Sequence, residues 1–150
     1  MRPIFALAFA FGLSTSPVSA EWQRGATLPT AVPHAVAAEM EGKLFVLSCK
    51  VGQGLRSFFE QYDLRNDGWR PLTPMPVAIS QFSLAAGSGR VLVSGGRDNR
   101  NAQIIDDLWL YAPDTAVWLE LGALPSPRAD HVSLFDGNRL FLLGGIGRDA

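Results

Sequence analysis

Three tryptophans measure out the chain. Trp22, Trp69 and Trp118 stand 47 and then 49 residues apart, and the same ruler fits the rest of the sequence. Seven residues after each comes a proline, at Pro29, Pro76 and Pro125, preceded by Leu28, Met75 and Leu124. Fifteen residues beyond each proline an apolar run begins at Leu44, Val91 and Leu140, reading LFVLSC, VLVSGG and LFLLGG. Tyr62 and Tyr111 each precede a tryptophan by seven. Self-similarity at a fixed period marks a fold of stacked supersecondary units, each burying its apolar faces against its neighbours.

Within each period the pattern predicts four short strands. The first covers His34–Met40, Gln81–Ala86 and His131–Phe135, closed by turns at Glu41-Gly42, Ser88-Gly89 and Asp136-Gly137. The second is the apolar run, continuous enough to be covered on both faces. The third is FFEQYD or DLWLYA, and the fourth begins at the tryptophan. Four antiparallel strands in 45–50 residues suit a propeller blade rather than a two-sheet sandwich. With 15 glycines and 10 prolines, the punctuation also favours strands and turns over long helices. A 47% hydrophobic content excludes a disordered chain, and a net charge of −1 with no basic run offers nucleic acid nothing to hold.

Residues 1–20, MRPIFALAFAFGLSTSPVSA, carry one positive charge, a ten-residue apolar run from Ile4 to Leu13 and small residues before Glu21. That is the grammar of a signal peptide cut after Ala20, and the run is too short to span a bilayer as a helix. The expected location is periplasmic or secreted, without membrane insertion. One cysteine, Cys49, excludes a disulfide framework.

The segments GRVLVSGG and DDLWLYAPDTAVW resemble the kelch repeat. Gly95-Gly96, Tyr111 and Trp118 match a complete repeat, and Arg128 and His131 in SPRADH match the opening of many kelch units. The first repeat departs from it, with Ser48-Cys49 in place of the glycine pair. The resemblance implies an all-β, kelch-type propeller, here incomplete: a closing strand at 22–28, blades at 29–75 and 76–124, and half a blade at 125–150. Closed propellers need about 4–8 blades, so missing blades or other chains are expected to complete the ring, and the sequence reads as part of a larger one.

Candidate chemistry is sparse. His34 and His131, 97 residues apart, do not make a metal site, and Cys49 reads as a buried, inert thiol. Asp106 and Asp107 are adjacent, so on a strand they face opposite ways, and they read as caps at the strand's beginning. No catalytic set, cofactor or metal is expected. The polar cluster Arg97, Asp98, Asn99 and Arg100 follows the glycine pair and should share one end of the propeller with Gln81, Arg128 and Asp130. Arg97, Asp98, Arg100, Arg128 and His131 are the ligand-binding candidates, the arginines suiting carboxylates. The kelch resemblance implies a ligand- or protein-binding module. The alternative is a carbohydrate-acting enzyme such as the exported bacterial sialic acid epimerases (mutarotases), whose signal peptide and repeat layout this chain resembles. A copper radical oxidase of the galactose oxidase type would need two tyrosine and two histidine ligands plus a cysteine cross-linked to tyrosine, whereas the two tyrosines here hold the repeat's strand position.

Overall fold

The computed structural model describes residues 21–32, 34–50 and 56–148; the expected leader at 1–20 lies outside the described residues. These residues form strands and turns with no helix. The first sheet is β1 (Val36–Met40), β2 (Lys43–Lys50), β3 (Arg56–Asp63) and β4 (Gly68–Pro71), hydrogen-bonded in chain order. The second contains β5 (Ile79–Ser80), β6 (Ser83–Gly87), β7 (Arg90–Asp98), β8 (Ile104–Ala112) and β9 (Val117–Ala123). A hairpin of β10 (Ala129–Phe135) and β11 (Leu140–Ile146) begins a third unit. All pairings are antiparallel.

The sequence spacings translate into register. Tyr62 lies directly across from Trp69, and Tyr111 across from Trp118. A seven-residue interval is therefore one hairpin measured from partner to partner. The paired rings are tilted against each other with centroids 4.9 and 5.0 Å apart. The inner hairpins turn on Glu41-Gly42 (φ 57° and 75°) and Ser88-Gly89 (φ 48° and 70°). Two left-handed residues in succession are what a tight antiparallel turn with the right twist needs.

The two sheets meet face to face. Phe45, Leu47 and Phe59 of the first and Leu84, Val91, Val93 and Tyr111 of the second are buried in one cluster. Phe59 is the pin of this seam: its ring stands edge-on to Tyr111 at 4.8 Å and lies 5.2 Å from Trp118. Each such side chain contributes about 1.5–3 kcal/mol by leaving water. The indoles add a polar tie. Trp118 Nε1 donates to Thr73 O at 2.8 Å and Trp69 Nε1 donates to Ala26 O at 2.9 Å, so each tryptophan holds the segment leading into its own sheet.

Four details differ from the sequence reading. The expected Gln81–Ala86 strand is interrupted at Gln81, whose φ of 54° separates β5 from β6. Asp106 and Asp107 lie inside β8 rather than at its beginning, because pairing with β7 extends back to Ile104. Residues 22–28 carry a bridge at Gln23 and no longer strand in this structure, and Trp22 is exposed, an arrangement that leaves the expected closing strand without the partner strands it would pair with. Finally, β7 is bulged between Ser94 and Gly96, an irregularity the sequence does not announce; Gly95 and Gly96 take the positive φ expected of a glycine pair at a close approach, whereas β2 keeps unbroken register through Ser48 and Cys49. The glycine pair is thus a bend that the first sheet does without.

Candidate functional site

The inner strands β1, β6 and β10 run side by side, one from each unit, and wall a groove of about 1370 Å³. Its walls are mostly small and apolar, with Ala37, Ala85 and Val132 typical. At its mouth stand His34, Gln81 and Asp130, the first two just ahead of β1 and β6 and the third at the beginning of β10, 47 and 49 residues apart. All three hold left-handed backbone, with φ of 53°, 54° and 53°. Left-handed residues other than glycine are uncommon and costly, and they persist where the surrounding structure imposes them.

Here the imposition is visible. Arg97 Nε donates to Gln81 Oε1 at 2.7 Å, and Gln81 Nε2 donates to Asp130 Oδ2 at 2.7 Å. Arg97 also donates to Ala102 O at 2.5 Å, and Asp130 N donates to Gln81 O at 2.9 Å. The result is a polar rail from the second sheet to the third unit across the mouth. Deeper in the wall, Ser133 donates through both N and Oγ to Ser83 Oγ at 2.8 Å. Cys49 also lines the groove, and burial raises its pKa, so it stays a thiol at neutral pH.

His131 is buried in the same wall, flanked by both glycine pairs. A Cβ on Gly145 would come within 2.8 Å of His131 Cβ, and one on Gly95 within 3.1 Å of its Cε1. Its Nε2 shares a 2.9 Å hydrogen bond with Ser94 Oγ, while Nδ1 is buried without a partner. Burial first and the Arg128 charge second hold its pKa below the usual value, so the ring is neutral near pH 7.

The other candidates disperse. Arg100 and Asp98 pair with each other on an exposed turn at 3.2 Å, the guanidinium holding the Asp98 carboxyl below its ordinary range. Arg128 donates to Gly144 O at 2.5 Å and lines a separate cavity of about 380 Å³ with Arg148. The groove therefore gathers Arg97 at its mouth with Gln81 and Asp130, holds His131 buried in its wall, and leaves Asp98, Arg100 and Arg128 outside. The trio of left-handed residues was readable in principle, since the tryptophan ruler lands on each of them. Its three unlike side chains concealed it. Among the described residues no group of three His, Cys, Asp or Glu side chains could hold a metal, and no helix is long and apolar enough to cross a membrane.

No family model matches the chain. Similarity to curated proteins and solved structures does. The solved structure of YjhT superposes with a TM-score of 0.67 at 22% identity, covering 81% of this chain and 36% of that one. Human Kelch-like protein 33 is 36% identical over 87 residues, 58% of this chain and 16% of that protein. The chain has the fold of a kelch-repeat propeller, in part. Rat Kelch-like protein 41 is 30% identical over 104 residues, 69% of this chain. The kelch chain spans about a sixth of these curated relatives (16% and 17%). The four-stranded first sheet and the five-stranded second, its inner strand split into β5 and β6, are then one blade each, and the groove is the arc of central channel that two and a half blades enclose.

Proposed function

We propose that this kelch chain is a protein-binding module whose contact surface is the mouth of the channel arc. The observation that carries the reading is the rail Arg97–Gln81–Asp130, whose Gln81 and Asp130 are left-handed residues at matching repeat positions beside an apolar groove. Binding is favoured where polar groups are already fixed in place, because less order is lost on association. Kelch proteins generally bind proteins, which supports a protein over a small ligand. The Kelch-like relatives do not favour the carbohydrate-epimerase alternative. Blades at 29–75 and 76–124, a half blade at 125–150 and a closing strand at 22–28 belong to this reading, as does export after cleavage at Ala20.

The test compares wild type with Arg97→Ala and Asp130→Ala, and with Glu120→Ala on the outer strand β9. The binding partner identified with wild type should be retained by Glu120→Ala and weakened about tenfold or more by either rim variant, the loss expected at a central polar contact. Equal binding by all four contradicts the assignment. Edman sequencing of exported protein should begin at Glu21; a start at Met1 contradicts cleavage after Ala20, and recovery of the protein only inside the cell contradicts export.

A further inference from the structure

The rail at the mouth adjoins a buried histidine that has no place for a second proton. Asp130, the last member of the rail, is followed directly by His131 on β10. The ring is held from two sides. Its Nε2 meets Ser94 Oγ of the second blade at 2.9 Å, and a Cβ on Gly95 would come within 3.1 Å of Cε1. Nδ1 is buried with no partner, and the atoms that close it off belong to this chain. Neither a further blade nor a docked protein reaches it.

A neutral imidazole carries a hydrogen on one nitrogen and a lone pair on the other, whereas the imidazolium carries a hydrogen on both. With Nε2–H donating to Ser94 Oγ, the neutral ring leaves only a lone pair unmet. A proton taken from solvent onto Nδ1 adds a buried N–H without an acceptor and a buried charge without a counter-ion, both costly. The surrounding charges decide how that cost is relieved. Arg128, from the segment ahead of β10, opposes protonation, and Asp130 favours it. The strands β6 and β11, packed on β10, contain no ionisable residue. On β7, Arg90 sits at the far end, Asp98 is paired with Arg100, and Arg97 is bound to Gln81. Among the described residues this leaves Asp130 as the carboxylate placed to compensate the ring, and it is committed to Gln81 Nε2 at 2.7 Å.

We propose that protonation of His131 opens the Gln81–Asp130 link, so that the mouth keeps its rail while the ring is neutral and loses it in acid. Control of binding in this way rests on the proposed role of the mouth: a partner that needs the closed rail binds the protonated protein less well.

Nuclear magnetic resonance of the full chain between about pH 7 and 5, where histidines titrate, tests the gate without a partner. The Gln81 side-chain amide signals should shift with the same midpoint as the His131 ring, in wild type and in His34→Asn alike. They should stay flat in His131→Asn, or in His131→Gln if circular dichroism shows that the asparagine variant has lost its fold. Affinity for the partner identified with wild type should be constant above the midpoint and fall by up to about tenfold per pH unit below it, because the bound form holds one proton fewer. The His131 variant should lose this dependence. Gln81 signals that ignore the His131 titration, or that shift equally in the His131 variant, overturn the gate even where the partner binds at the mouth. A Gln81 response with affinity independent of pH overturns the control of binding, which tells a failed contact surface from a failed gate.

Discussion

At the scale of single residues, the two blades differ where one has lost a partner that the other keeps. Tyr62 donates its hydroxyl to Asp67, which also accepts from Ala26 N at 2.7 Å. The corresponding Tyr111 hydroxyl is buried without a partner, because position 116, the counterpart of Asp67, is alanine. Ala116 already holds the left-handed backbone (φ 56°) that aspartate tolerates better. Ala116→Asp should therefore raise stability by about 1 kcal/mol, read as a rise of a few degrees in Tm. Similarly, Thr30 donates to Glu60 at 3.1 Å in the first blade, while the counterparts Val77 and Trp109 leave the Trp109 indole N–H unpaired. His131 sets a pH dependence. Its folded pKa lies below the unfolded value of about 6.5. The unfolded chain then binds more protons in the interval between the two values. Stability should fall as pH drops below about 6.5, with a slope of at most about 1.4 kcal/mol per pH unit. Denaturation of wild type and His131→Asn between pH 7 and 5 checks this, and the variant should show the shallower slope.

At the scale of strands, the glycine pair separates what the sequence disclosed from what it hid. Gly95 has φ 55°, and a Cβ there would collide with the Arg128 carbonyl oxygen of the next unit. Gly89, at φ 70°, has nothing within 4 Å of the same position. Gly95→Ala should thus cost about 2–4 kcal/mol, from backbone strain and overpacking together. Gly89→Ala should cost about 1 kcal/mol from strain alone. Thermal unfolding of the pair measures the difference, and equal losses would contradict the close approach. Strand order, the Tyr–Trp register and the tight turns were legible because period-2 patterning and turn residues act locally. The bulge at Ser94–Gly96 and the break at Gln81 were not, because contacts between units set them, and the backward extension of β8 to Ile104 follows the length of β7 beyond its bulge. The candidate site divided the same way. Arg97 and His131 were found as polar residues near a strand end, but the rail through Gln81 depends on side chains from two units meeting.

At the scale of the whole molecule, the account rests on adjacent blades stacking through one seam, which places three inner strands around a common groove. Were the sheets independent, the groove and its mouth would not exist as a surface. The seam concentrates in Phe59, the ring that reaches from the first blade to Tyr111 and Trp118 of the second. Its truncation to alanine should cost about 3–5 kcal/mol, with both blades losing stability together in one transition. The most direct measurement is the nuclear Overhauser effect between the Phe59 ring and the rings of Tyr111 and Trp118 in solution. Strong cross-peaks between these rings are predicted, since their centroids are 4.8 and 5.2 Å apart. Absence of those cross-peaks, with the Tyr111–Trp118 contact inside the second blade still present, would contradict the stacked arrangement.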